Sequence, residues 1–293
     1  MTRYAVNPAT PVLLRPDGVV QLGWDPRRAV LIRPPEELSG PDLAALLRTL
    51  QVGASIPELG VRVPGVDAAV IEELVDSLVA AGIVTVGVGA GVSTAGPPRR
   101  HAPRVRIHGR GPLSDLIAGA LRCSGARITH SNRSQSGVAP GPADLVVLAD
   151  DLVADPRVVR ELHAAGVTHL QVRVRDGVGL IGPLVIPGVT SCLSCADLHR
   201  SDRDAAWPAV AAQLLHTVGH ADRATLLATA ALALNQIERV IRADEQPATL
   251  DTTLEFDVNV GSVVARRWTR HPSCGCLTSR VGKSVPRVAA RRG

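Results

Sequence analysis

RVRIHGRGPLSDLIAGAL, residues 104–121, is the stretch on which the fold turns. Arg104 to His108 alternates polar and apolar residues, as a half-buried strand does. Gly109-Arg110-Gly111-Pro112-Leu113-Ser114 is a glycine turn. Asp115–Leu121 then reads as a helix with Gly125 beyond it. Two more strands, Arg127–His130 and Asp144–Ala149, and a helix over Pro156–Ala165 follow. Strand, glycine turn, helix, strand is the opening of a doubly wound nucleotide-binding fold. The predicted class is therefore α/β, with a Rossmann-like domain over residues 104–280.

As a phosphate cradle the turn is incomplete. A cradle needs glycine where the backbone approaches the phosphate and free N–H groups at the helix start. Ser114 stands where the third glycine belongs, and Pro112 removes one N–H. No Asp or Glu follows the second strand to hold a ribose. Gly109 and Gly111 read either as remnants of a degenerate nucleotide site or as a turn kept for its shape.

Upstream, residues 1–90 read as a separate small domain. Val12–Leu14 and Val19–Leu22 flank Pro16-Asp17-Gly18 as a hairpin, and Arg28–Arg33 is a further strand. Ser39-Gly40-Pro41-Asp42 opens a helix whose Leu43, Leu46, Leu47 and Leu50 share a face. Asp67 caps a second helix, lined by Val70, Ile71, Leu74, Leu78 and Val79 and ended by Gly82. Ile83–Val86 follows as a strand. This is the element order of a winged-helix domain. Residues 91–103 close a Gly- and Pro-rich connection and read as a linker.

Charge decides between the uses of such a domain. Residues 1–95 carry seven Arg against ten Asp or Glu. Duplex binding needs a positive footprint, so nucleic acid is not the expected partner. Peptide capture along an exposed strand edge remains, beside a packing module with no ligand. The edge would be Val19–Leu22 or Arg28–Arg33, with apolar pockets from the helix starting at Asp67. Local positive charge would come from Arg27, Arg28, Arg33 and Arg62.

Composition supports this frame. Of 293 residues 45% are apolar, enough for two buried cores, and Gly 27 with Pro 22 makes a loop-rich chain without a period. Five aromatics leave the cores to Ala, Val, Leu and Ile, and are too few for a base-stacking surface. The net charge of +5 comes from two stretches: residues 97–110 hold five Arg and no acid, and the tail 281–293 holds Lys283, Arg287, Arg291 and Arg292. Lys283 is the only lysine. No secretory signal and no membrane-length apolar run is read, so a cytoplasmic protein is expected.

Cys192-Leu-Ser-Cys195 and Cys274-Gly-Cys276 form two tight pairs. Four thiolates suit tetrahedral Zn2+, and a shell filled by four cysteines is structural rather than catalytic. The alternatives are a mixed shell in which His271 or His199 replaces one Cys, and thiols that are free or disulfide-linked. Cys123, on the predicted first helix of this domain, reads as a core thiol.

These residues carry a family resemblance. Gly182-Pro183-Leu184-Val185-Ile186-Pro187-Gly188, running into Thr190-Ser191-Cys192-Leu193-Ser194-Cys195-Ala196-Asp197-Leu198-His199-Arg200, resembles the crossover region of ThiF-like proteins, relatives of the ubiquitin-activating enzymes. Asp202-Arg203-Asp204, Trp207-Pro208 and His271-Pro272-Ser273-Cys274-Gly275-Cys276 resemble the members that accompany YcaO cyclodehydratases in making thiazole- and oxazole-modified peptides. The resemblance covers residues 104–280. More weakly, the first domain resembles the winged-helix precursor-recognition element of the same pathway. It implies a structural zinc and a site for a precursor peptide's leader, which in this pathway is often acidic. Active relatives hold Mg2+ on an Asp, and Asp150 or Asp151 is the nearest match. They also use basic residues on the phosphates; here the only lysine lies in the tail, leaving Arg110 as a substitute.

The leading expectation is a non-catalytic partner that binds the leader and presents the precursor to a YcaO-type cyclodehydratase for azoline formation. ATP and Mg2+ are not expected to bind. The alternatives are a ThiF-type ATP-dependent adenylyltransferase and a zinc-stabilised interaction or regulatory protein. A homodimer is suggested only by analogy.

Overall fold

A computed structural model describes residues 2–88, 102–122, 124–131, 143–242 and 246–277. Most of the linker, Cys123 and the basic tail with Lys283 lie outside the described residues. The chain divides into two compact units, Met1–Thr94 and Ala95–Gly293.

The first unit begins with β1 (Thr2–Val6), β2 (Val12–Leu14), β3 (Val20–Leu22) and β4 (Val30–Ile32). Three helices follow, α1 (Gly40–Gln51), α2 (Ile56–Gly60) and α3 (Ala68–Ala80), and then β5 (Val84–Val88). The predicted Asp67 cap forms, accepting from the Ala69 N–H, and at the other helix Ser39 accepts from the Asp42 N–H. Leu43, Leu46, Leu47 and Leu50 of α1 are buried with Ile71, Val75 and Leu78 of α3 in one core. Two elements carry no strong local signal in the sequence. β1 exists because it pairs antiparallel with β5, Thr2 opposite Val88 and Val6 opposite Val84. α2 is one short turn held by Glu58, which accepts from the Ser55 N–H.

β2, β3 and β4 form an antiparallel sheet in that order. This corrects one expectation: Val20–Leu22 lies in the middle, so it offers no edge, whereas β4 has β3 on one side alone among the described residues. Register places Leu13, Gln21 and Leu31 in one row across the sheet. Leu13 and Leu31 are exposed.

The second unit is built on β6 (Arg104–His108), β7 (Arg127–Ser131), β8 (Leu145–Ala149), β9 (His169–Arg175), β10 (Val178–Val185), β11 (Thr252–Asp257) and β12 (Ser262–Arg267). The sheet order is β12-β11-β10-β9-β8-β6-β7. β7, β6, β8 and β9 are parallel, and β10 to β12 continue antiparallel. The reversal is the β9–β10 hairpin, where Asp176 and Gly177 both take positive φ, 51° and 79°.

Helices cover both faces, so the central strands are buried on two sides. Along β8, Leu145, Val147 and Ala149 join the core shared with α4 (Pro112–Leu121) and α8 (Arg223–Arg242). Val146 and Leu148 face the other way, toward α5 (Pro156–Ala164) and α6 (Leu193–Arg203). A short α7 (Trp207–Leu214) follows α6. This is the expected α/β architecture with a Rossmann-like sheet. α4 starts at Pro112 rather than Asp115, because Pro at a first helical position loses no intrahelical bond. No described helix is long and apolar enough to cross a membrane.

β9 departs from a plain buried strand. Leu170, Val172 and Val174 face the α4–α8 core, but His169, Gln171 and Arg173 are buried as well. His169 Nδ1 donates to the Val167 carbonyl at 2.9 Å, and Nε2 has no partner. Burial pushes this imidazole down to about 4. Its neutral form therefore supports folding above the ordinary pKa of about 6.5, and that support is lost as pH falls toward 4, up to about 3 kcal/mol. Urea midpoints compared at pH 7 and pH 4.5 should fall for the wild type, and His169→Leu should remove most of that difference. An equal pH dependence in the variant would contradict the assignment.

Candidate functional site

Two places in the second unit gather reactive groups. The first is built at the start of α6. Cys192 is its N-cap residue and Cys195 lies in its first turn, while Cys274 and Cys276 come from the segment after β12, where Gly275–Leu277 forms a single 3-10 turn. Cys192 Sγ lies 3.6 Å from the sulfurs of both Cys195 and Cys274, and Cys195 Sγ is 3.5 Å from that of Cys276. All four sulfurs fall within 4.8 Å of one another. Thiolates bound to Zn2+ at 2.3 Å in a tetrahedron sit about 3.8 Å apart, so the donor set fits such an ion.

The charges lead to the same reading. The hydrogen bond with Cys192 holds the Cys195 thiol below its usual range, helped by the His271 and Cys192 backbone. That pairing and burial push Cys192 up. Burial, then contact with Cys195, pushes Cys276 up. Four thiolates this close would need a cation among them.

The histidines have other employment. His271 Nδ1 accepts from the Ser273 N–H at 3.1 Å, so its proton sits on Nε2, which donates to Asp202 at 2.9 Å. His199 Nε2 donates to the Thr269 carbonyl at 3.0 Å, and its ring stands edge-on to His271 with centroids 4.8 Å apart. Both link α6 to the chain leading into Cys274. The four Cys are thus the groups that could hold a metal without giving up these bonds. The residues of this linkage were visible in the sequence, but their partners lie about seventy positions away, as the 69-residue gap between Asp202 and His271 shows.

The second place is the N-terminus of α4. Asp150, directly after β8, is 1% exposed and has a φ of 75°, a left-handed conformation that Asp tolerates better than most residues. Its Oδ1 accepts from the backbone N–H groups of Leu113 at 2.9 Å and Ser114 at 3.3 Å. The anion position of this helix is thus filled by a carboxylate of the same chain. Burial pushes the Asp150 carboxyl up, against the hydrogen bonds from Ser114 and Leu113, and Oδ2 has no partner.

The two glycines make room for this side chain. A Cβ on Gly109 would lie 2.7 Å from Asp150 Oδ2, and one on Gly111 would lie 2.7 Å from Oδ1. The structure therefore brings Gly109, Gly111 and Asp150 together. Asp151 points elsewhere in the fold, bridging to Val218 and lining a small cavity with His108 and Gln171. Arg27 and Arg28 precede β4 and Arg33 follows it, whereas Arg62 follows α2; all four are exposed. None of them makes an ion pair with a described residue.

Comparison with known proteins places the fold. No family model matches the chain, and no curated protein matches it by sequence. Among solved structures, the heterocyclase TruD superposes with a TM-score of 0.69 at 16% identity, over 94% of this chain and 43% of TruD. A heterocyclase in complex with substrate and cofactor gives the same TM-score and identity, over 94% of this chain and 40% of its own. MccB of E. coli, solved with ATP, matches at 0.60 and 11% identity, over 94% of this chain and 99% of MccB. The chain has the ThiF-like fold of these proteins, as its sequence resemblance implied, and spans less than half the length of the two heterocyclases.

Metal analysis of the purified chain is expected to find about one Zn2+ per molecule. Cys274→Ser should lose it and melt far lower, because a structural zinc contributes about 10–16 kcal/mol of binding energy to folding. A metal-free wild type with an unchanged melting point in the variant would contradict the four-cysteine assignment. At the second place, Asp150→Ala should destabilise the chain by about 1–3 kcal/mol through the two unpaired N–H groups. Calorimetry of the wild type with ATP and Mg2+ should show no binding tighter than about millimolar; tight binding would mean that Asp150 yields the position to phosphate.

Proposed function

We propose that the chain binds the leader of a ribosomally made precursor peptide and presents the peptide to a YcaO-type cyclodehydratase for azoline formation. The observation that carries this reading is the superposition on the heterocyclase TruD over 94% of the chain. The azoline-forming chemistry is assigned to the partner, and Zn2+ on Cys192, Cys195, Cys274 and Cys276 is structural. ATP is not used, because Asp150 fills the position at α4 where a phosphate would dock.

The leader is assigned to the first unit, which we read as a winged-helix-type recognition element. An extended peptide can add to β4 by backbone hydrogen bonds, while side chains meet exposed Val30 and Leu31. Arg27 and Arg28 at one end of the strand and Arg33 at the other supply positive charge in a unit of net negative charge. An acidic leader is thereby attracted to β4 and repelled from the acidic α3. The near-complete coverage of MccB, which was solved with ATP, favours ATP-dependent adenylation as the second reading.

Fluorescence anisotropy with the leader of a precursor encoded beside this gene tests the proposal on the full chain. Binding is expected near micromolar. Replacing Arg27, Arg28 and Arg33 together by Ala should weaken it about tenfold, roughly 1.4 kcal/mol. Unchanged affinity in that variant would move the leader away from β4, and pyrophosphate exchange dependent on the precursor would favour the adenylation reading.

A further inference from the structure

Arg173 is a buried cation without a counter-ion. It projects from the middle of β9 toward the face covered by α5 and α6 and is 6% exposed. Among the described residues no carboxylate lies within ion-pair distance of it and no group accepts a hydrogen bond from it. The charges nearest to it are Arg200, Asp197, Arg175 and Glu255. Asp197 is already committed: Arg200 Nη1 donates to its Oδ1 at 2.7 Å and Trp207 Nε1 at 3.3 Å. Its side chain is also 44% exposed, so water weakens its reach. Glu255 is taken by Arg266 at 3.1 Å and Arg175 at 3.7 Å. Burial, and then Arg200, push the Arg173 guanidinium down to about 9, which leaves it charged at neutral pH.

An uncompensated charge at this depth is costly, and folds usually neutralise it. Here Arg173 borders a cavity of about 50 Å³ that also exposes Gln171, Ser194, Asp197, Arg200 and Trp207. Arg200 is fixed in place, with its guanidinium carbon 5.2 Å from the Trp207 ring centre and 4.8 Å from that of Trp268. Ser194 belongs to the first turn of α6, the end of a helix that favours negative charge. Two guanidinium groups, an amide and a hydroxyl thus face one space that holds a single carboxylate of the protein. The space admits a carboxylate or phosphate group but not a nucleoside.

We propose that this cavity is an oxyanion-binding subsite that takes one carboxylate or phosphate group of a ligand, with Arg173 as its buried cation and Arg200 as its second. It is separate from the N-terminus of α4, which Asp150 occupies. It does not depend on the leader-peptide reading, since it lies wholly within the second unit and is defined by its own side chains.

The test uses the full-length, metal-loaded chain. Melting midpoints are measured in acetate and in inorganic phosphate at pH 7, with sodium chloride holding the ionic strength constant. Each anion is expected to raise the wild-type midpoint in a saturable way, and the stronger of the two responses identifies the group. Arg173→Met removes the unpaired charge, so its anion-free midpoint should be at or above that of the wild type and its anion response should vanish. A purely structural Arg173 predicts the reverse: a lower midpoint and an unchanged response. Where Arg173→Met does not fold, Arg173→Lys carries the test, because it keeps the charge and loses the planar fork; both anions should then bind several-fold more weakly. No wild-type response beyond the chloride control, or an equal response in either variant, overturns the proposal.

Discussion

Four sulfurs whose neighbouring pairs lie 3.5 to 3.6 Å apart cannot all carry charge without a cation between them. That constraint organises one face of the second unit. An ion held there would join the start of α6 to the chain that leaves the sheet after β12. His271 and His199 reinforce the same joint through Asp202 and the Thr269 carbonyl. α6 also carries Ser194, Asp197 and Arg200, which line the cavity beside Arg173.

The other face depends on a different electrostatic solution. A helix N-terminus attracts an anion, and in this chain Asp150 supplies it from within. A covalently attached carboxylate is always present at its site, so a phosphate must displace it and also break two backbone hydrogen bonds. The fold shared with MccB, which was solved with ATP, consequently does not decide what this chain binds. At Gly109 and Gly111 the absence of a side chain leaves the space that the Asp150 side chain fills.

Buried polar groups on β9 add a third constraint. A parallel sheet covered on both faces normally fills its central strands with aliphatic residues. His169, Gln171 and Arg173 break that pattern on one face alone, the face that also carries the thiols. His169 is kept neutral by burial, Gln171 is uncharged, and Arg173 keeps its charge beside a cavity.

Features that neighbours within a few residues can carry were already legible in the chain. Asp67 caps its helix as expected, and the Ser39 stretch opens α1, because helix-start chemistry is local. Alternation in β6, the apolar run of β8, the leucine face of α1 and the close spacing within each Cys pair were likewise readable. Long-range packing supplied the rest. β1 has meaning only beside β5 at the far end of its unit, and Val19–Leu22 became a central strand because both its neighbours pair with it. Asp150 reaches Leu113 across 37 positions, and Cys192 meets Cys274 across 82. Nothing in the residues around Arg173 announces that it is unpaired. Whether a charge finds a partner depends on which distant strands and helices close around it, and that is set by the path of the chain rather than by any local pattern.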